Sequence, residues 1–358
     1  MKPRIYTERL KKFGTLKRKW QGIPSIERTE NGTIFVAFYS GGRDEQLGNY
    51  CVLLKGNEKN GFSEPVTAVY AGRFSRCFDP CLWLDGKGRL WFFWSTMPVV
   101  RTWAAICENP TEKALRWSEP FIVGDGIMLN KPLNSSHGLL FPLAVWKKEI
   151  NEKTIKVCRK MKINENAIPD GAYAVKLNDG KFIRLGKVRS TKPSYDEHIF
   201  SERRDGVLEV YIRTAGNIEK AESDDGGVTW SNPYDSGIKN PNSRFFIGKL
   251  KSGRILLVNH YGYKGRNNLT ALLSEDDGKT FPYSLLLDER NKVSYPDAVE
   301  GNDGYLYIVY DRERGSLNQR ETDSAKEILL AKITENDILA GKITDGESML
   351  KVIVSKIG

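Results

Sequence analysis

Along most of the chain, apolar residues come in short strand-length runs, each entered through a glycine turn. The runs read NGTIFVAFY (31–39), KGRLWFFW (87–94), HGLLFPLAVW (137–146), DGVLEVYIR (205–213), SGRILLVNH (252–260) and DGYLYIVYD (303–311). The turn glycines, Gly32, Gly88, Gly138, Gly206, Gly253 and Gly304, are spaced 56, 50, 68, 47 and 51 residues apart. The long third interval contains the charged stretch KKEINEKTIKVCRKMKINEN, which reads as an insertion. Val, Ile, Leu, Phe, Trp and Tyr dominate the runs, as suits pleated surfaces packed on neighbours. A second apolar run usually precedes the glycine (PSIER, PCLWLD, RFFIGKL) and a third follows (YCVLLKG, TWAAICE, LTALLSE), so each unit is a hairpin extended by further strands. Helical periodicity is nearly absent, and TENDILAGK (334–342) is the best short candidate for a helix.

Six antiparallel units of about 50 residues fit either a long sandwich or a propeller, in which radial repetition leaves only short, protected edges. The regular period favours an all-β, six-bladed propeller of four-stranded antiparallel blades. It would occupy residues 1–358 as a single domain, with blades at approximately 22–65, 78–120, 128–188, 195–233, 242–283 and 294–341. Either MLKVIV (349–354) or PRIYTER (3–9) would supply a sealing strand. Two polar octets, SDDGGVTW (223–230) and SEDDGKTF (274–281), share the pattern Ser-x-Asp-x-Gly-x-Thr-aromatic and follow the third strands of units four and five. Their carboxylates and hydroxyls suit a folded turn between the third and fourth strands, and they lack the twelve-residue ligand spacing of a calcium loop.

The net charge of +10 favours an anionic partner. Lys and Arg are spread along the chain rather than concentrated, so neither nucleic acid nor a membrane surface is the expected partner. No apolar run reaches membrane-spanning length. The start, MKPRIYTERLKKFG, lacks the apolar stretch of a secretory signal, which makes a cytoplasmic location the expectation. Cys51, Cys77, Cys81, Cys107 and Cys158 are an odd, scattered set, read as buried, reduced thiols with no metal or other cofactor expected.

The octets resemble the Asp-box of the sialidase (neuraminidase) superfamily, and the likeness extends over roughly residues 20–342, closest to bacterial sialidase-like proteins with BNR repeats. That resemblance implies a tyrosine nucleophile assisted by a glutamate, an aspartate acid/base, and three arginines around a substrate carboxylate. A neutral phenol suits an anionic sugar, which a carboxylate nucleophile would repel, and sialidases are an exception among glycosidases in this respect. Tyr295 in VSYPDAV has the family's nucleophile context. Glu197 in YDEHIF and Arg213 in VYIRTAG match its glutamate and second arginine, and Arg266 in YKGRNNL falls near its third. A planar guanidinium holds a carboxylate through two parallel bonds, which lysine does not reproduce.

The chain departs from the family in its first unit. Sialidases open with RIP, and here the sequence is WQGIPSI, with Gly22 at the position of the first arginine. In SGGRDEQ, Arg43 partly replaces that contact in this reading, and Asp44, with Glu45 beside it, is the expected acid/base. Arg244, His198, His260, Asp297 and Asp79 are further candidates for the substrate site. Histidine titrates near neutral pH and suits proton transfer. The expected function is therefore hydrolysis of an anionic oligosaccharide, sialic-acid-like or uronic-acid-containing, with an incomplete arginine clamp. A histidine-dependent lyase or hydrolase for uronate glycans and a non-catalytic sugar-binding propeller are the alternatives.

Overall fold

The computed structural model describes residues 2–145, 171–192, 194–315 and 325–358. Its strands form six antiparallel sheets arranged as the blades of a propeller. Blade one comprises Trp20–Arg28, Ile34–Gly41, Tyr50–Asn57 and Thr67–Tyr70. Blade two is Arg76–Leu84, Leu90–Met97, Arg101–Cys107 and Phe121–Asp125, and blade three is Leu133–Ser135, Gly138–Val145, Gly171–Asn178 and Lys181–Val188. The charged insertion of blade three and Cys158 lie outside the described residues. In blade four, Ser194–Glu202 pairs with the first half of Leu208–Ser223, and the second half of that long segment pairs with Tyr234–Pro241. Blade five is Phe246–Lys249, Ile255–His260, Leu269–Ser274 and Tyr283–Asp288, and blade six is Val293–Glu300, Leu306–Arg312, Glu327–Ile333 and Met349–Lys356.

Alternation along each strand sends side chains to both faces of its sheet. Both faces are covered by neighbouring blades, which is why runs such as IFVAFY and LWFFW are apolar throughout. One wedge of core fills each gap. Phe35, Leu53 and Val69 meet Leu82, Phe92 and Trp94 between blades one and two. Leu256, Val258 and Leu273 meet Ile308, Tyr310 and Leu329 between blades five and six. A separate apolar cluster containing Trp20, Ile23, Tyr39, Phe78, Ile127 and Tyr295 packs around the axis. Cys51, Cys77, Cys81 and Cys107 are buried and free, as sequence suggested.

Neither terminal segment seals the ring by sharing a blade. Arg4–Tyr6 pairs with Thr67–Tyr70 as an outermost fifth strand of blade one, and Met349–Lys356 is the outer strand of blade six. Blades one and six are joined instead by side-chain bonds. Gln21 Nε2 donates to the carbonyls of Lys326 (2.6 Å) and Ser355 (3.1 Å), and Arg18 donates to Ser355 Oγ at 2.8 Å.

Both octets are turns between third and fourth strands. Asp276 accepts from the backbone N–H groups of Lys279 (3.1 Å) and Thr280 (2.9 Å) and from the hydroxyls of Ser274 and Thr280. Asp225 repeats this with Val228, Thr229 and Ser223. The bonds from Thr229 and its neighbours push the Asp225 carboxyl down to about 2. The short helix Glu335–Ala340 falls within the single helical candidate. Thr334 and Asp337 form a capping box at its start, and Gly341 closes it in a left-handed conformation.

Candidate functional site

The first strands of three blades break their pairing at the same point. The register shifts between Gly22 and Ser25 in blade one, Phe78 and Cys81 in blade two, and Ser294 and Asp297 in blade six. Within each break stands a non-glycine residue with positive φ, followed by proline: Ile23 (57°), Asp79 (48°) and Tyr295 (55°). Such conformations are uncommon and cost about 1–3 kcal/mol. Bulges of this kind re-aim a side chain. Here Ile23 and Tyr295 enter the axial cluster. Asp79 is buried, and desolvation, with Glu45 and Glu197 adding to it, raises its carboxyl well above the usual range.

Tyr295 is 7% exposed. Its hydroxyl accepts from Arg213 Nη1 at 2.8 Å and donates to Glu197 Oε1 at 3.3 Å, while Arg213 Nη1 also donates to Glu197 Oε2 at 2.5 Å. Glu197 and Arg213 reach this point from paired strands of blade four, and Tyr295 from blade six. Burial raises the Tyr295 phenol above its ordinary pKa, opposed by Arg213, Arg314 and Arg266. Burial thus favours the neutral phenol, beside a carboxylate and among cations.

Three guanidiniums surround the ring, with Arg314 at 4.1 Å from its centroid, Arg266 at 5.5 Å and Arg213 at 5.7 Å. Two of them share one acceptor. The carbonyl oxygen of Asn242 takes Arg213 Nη2 at 2.7 Å and Arg266 Nη2 at 2.9 Å, and the Asn242 side chain accepts from Arg213 Nε at 3.1 Å. Asn242 itself is left-handed, with φ 55°, which turns its carbonyl toward the arginines. Arg213 pairs with Glu197, and Arg314 Nε pairs with Asp311 at 3.0 Å. Among the described residues no carboxylate lies within ion-pair distance of Arg266. Arg266 thus stands beside the ring as a cation without an ion-pair partner among the described residues, while Glu45, Asp44 and Glu313 line the cleft beside it.

A cleft of about 640 Å³ opens beside this group, lined by Asp44, Glu45, Lys264, Arg266, Ser294 and Arg314 among others. Asp44 thus lines the same cleft as Arg266 and Arg314. Glu45 stands 3.6 Å from Arg314 Nη1 and 3.8 Å from Arg76 Nη1. Arg43 is exposed and is not part of the lining. A larger cleft, about 920 Å³, lies at the outer edge near Arg4–Tyr6 and Trp117 and contains none of the residues selected from sequence.

The remaining candidates do not line this cleft. Arg244 Nε donates to Asn130 Oδ1 at 2.8 Å, its Nη1 to the Pro24 carbonyl at 3.2 Å, and its Nη2 lies 3.6 Å from Asp297. Asp297 is fully buried and accepts from Ser25 Oγ (2.6 Å) and the Ile26 N–H (3.0 Å). Lys131, with Glu27 at 2.7 Å and Asp297 at 3.2 Å, completes a buried ionic cluster tying blades together. The His198 ring contacts the Tyr173 carbonyl at 3.2 Å and Phe200 at 5.1 Å. The Nδ1 atom of His260 bonds the Asn267 carbonyl at 2.7 Å, its Nε2 is buried without a hydrogen-bond partner, and burial pushes its pKa down to about 4.

Sequence reasoning missed Arg314 and Asn242. The signal for Arg314 was Gly22, because the aliphatic stem of Arg314 occupies the space a side chain at position 22 would take. A Cβ there would lie 2.3 Å from its Cδ and 2.6 Å from its Cγ.

A family model described as BNR repeat-like domain matches residues 32–308. No curated protein matches the chain significantly. Among solved structures, a leech intramolecular trans-sialidase complexed with 2,7-anhydro-Neu5Ac is similar at 15% identity and TM-score 0.66, covering 94% of this chain and 71% of its own. An intramolecular trans-sialidase from Ruminococcus gnavus is similar at 14% identity and TM-score 0.65, covering 91% and 97%. A Penicillium chrysogenum alpha-L-arabinanase is similar at 11% identity and TM-score 0.55, covering 91% and 99%. At these identities the likeness is one of fold.

Proposed function

The chain belongs to the BNR repeat-like family, with a sialidase-like propeller fold, and from that premise we propose that it is a glycoside hydrolase acting on an anionic sugar, with Tyr295 as nucleophile. The observation that carries this reading is the Tyr295 hydroxyl, poised between the Glu197 carboxylate at 3.3 Å and the Arg213 guanidinium at 2.8 Å.

In this mechanism Glu197 takes the phenolic proton as the Tyr295 oxygen attacks the anomeric carbon. The glycosidic C–O bond breaks, and the departing oxygen receives a proton from an acid on the cleft wall; Asp44, which lines the cleft, supports this assignment. A water then attacks the anomeric carbon of the glycosyl-tyrosine, returning its proton to that acid and releasing the phenolate to be reprotonated by Glu197. Positive charge from Arg213, Arg266 and Arg314 holds the sugar's acid group and favours the phenolate as it forms.

The test is turnover of aryl sialosides and aryl uronosides by the wild type and by Y295F. Loss of turnover in Y295F with retained sugar binding supports the reading, and full activity in Y295F removes it. Near-normal Y295F combined with an inactive H260A would move the assignment to a histidine-dependent reaction. Binding without turnover across the substrates would make the propeller a lectin.

A further inference from the structure

We infer that Arg314 binds the ligand's acid group, and that Gly22 exists to admit it: a guanidinium is delivered from blade six into a slot that a side chain on blade one would close. The inference rests on the anionic-sugar reading of this site and names the residue pair that sets its specificity.

A glycine can be required for conformation or for space. Gly22 is not in the left-handed region, so any L-residue could adopt its backbone. Space is the requirement. A Cβ at position 22 would meet three atoms of Arg314, the Cδ at 2.3 Å, the Cγ at 2.6 Å and the Nε at 3.1 Å. The guanidinium carbon of the same side chain lies 4.1 Å from the Tyr295 ring centroid, so Arg314 is packed against that ring as well as against Gly22.

Arg314 is held by one edge and presents the other. Its Nε is paired with Asp311 Oδ2 at 3.0 Å and its Nη2 donates to Ser294 Oγ at 3.1 Å. Asp311 is itself fixed, because its Oδ2 accepts the Ile23 N–H at 2.7 Å and its Oδ1 the Ser294 hydroxyl at 2.8 Å. Arg314 lines the cleft, and the charged neighbour of its Nη1 is Glu45 at 3.6 Å, beyond hydrogen-bonding distance, on a side chain 40% exposed. A sugar carboxylate entering the cleft exchanges with Glu45 and meets Arg314 and Arg266 together. Both line that cleft and both lie over the same tyrosine ring. A rigid planar fork anchored through one edge suits carboxylate recognition at the other.

The experiment is calorimetric binding of N-acetylneuraminic acid and D-glucuronic acid, with N-acetylglucosamine as the neutral control. The variants are R314A, R314K, G22A and the exchange G22R/R314A. The expected results are acid-sugar affinity reduced roughly 10- to 100-fold in R314A, as for loss of a charge-assisted bond, a similar loss in G22A, and partial retention in R314K. The exchange variant should recover most of the R314A loss. R314K, whose thermal midpoint can be compared with that of the wild type, separates loss of recognition from loss of fold. Acid-sugar binding that R314A leaves unchanged overturns the inference while sparing the anionic-sugar reading, and failure of the exchange to recover binding overturns the shared slot. If the wild type prefers neither acid over the neutral sugar, the anionic-sugar reading falls and the inference with it.

Discussion

Glu197 and Arg213 face each other at 2.5 Å on paired strands, with side chains only 4% and 3% exposed. Removing one member of so buried a pair strands the other charge. E197A should destabilise the protein by roughly 3–5 kcal/mol, whereas E197A/R213M should regain much of that loss, because two well-packed neutral groups replace an uncompensated cation. Denaturant unfolding of the single and double variants checks this, and a double variant as unstable as E197A would contradict it.

Asn242 fixes two arginines through its carbonyl while its backbone is left-handed. N242G and N242A both lose the side-chain bond to Arg213 Nε, but glycine alone is free of the cost of a Cβ at positive φ, and alanine lacks the tolerance asparagine has for that region. N242A should therefore be less stable than N242G by about 1 kcal/mol. Equal unfolding midpoints for the two would show that the carbonyl orientation is not under strain.

Two turn glycines separate conformational strain from steric strain. Gly253 has φ +86° with open space where a Cβ would sit. Gly278 has φ +77°, and its Cβ would lie 2.8 Å from the Tyr211 hydroxyl, which is held by Glu209 at 2.9 Å. G253A should cost about 1 kcal/mol and G278A roughly twice that. The comparison is read from paired thermal melts.

His260 gives a pH dependence of definite sign. Its folded pKa, about 4, lies below the ordinary value of 6.5, and burial is the main cause, with Arg266 adding to it. The unfolded chain thus binds the proton more readily. The stability this histidine contributes is complete above about pH 6.5 and is lost as pH falls toward 4, by on the order of 3 kcal/mol. Stability measured from pH 7 to 4 should fall less steeply in H260N than in the wild type, and parallel curves would refute the assignment.

The blades were legible because each hairpin is local: six glycines followed by apolar runs mark them without knowledge of the partners. The same holds for the octets, whose bonds span only a few residues. Tyr295, Glu197, Arg213 and Arg266 were legible through a resemblance that carried their strand positions, and the structure brings all four together. Arg314 was invisible because its role depends on an absence, the missing side chain of Gly22, nearly 300 positions away. Asn242 was invisible because it works through a backbone carbonyl, for which sequence has no letter. Conversely, Arg43 points outward, while Arg244 and Asp297 belong to the ionic cluster with Lys131. Charge and blade position alone do not distinguish a residue that meets a ligand from one that braces the strands behind it.

The bonds from Arg18 and Gln21 to the last blade have a mechanical meaning. Five of the six joints around this ring are backed by a covalent linker, because consecutive blades share the chain. Among the described residues, the sixth, between blades one and six, has no peptide crossing it and no exchanged strand. Its cohesion comes from an apolar wedge, side-chain bonds, including that from the Ile23 N–H to Asp311, and a backbone bond from the Gln21 N–H to the Arg314 carbonyl at 3.4 Å. The molecule is a split washer, closed by contact alone, and the split runs directly beneath Gly22, Arg314 and Tyr295. Opening the split would act directly on the packing of Gly22 against Arg314.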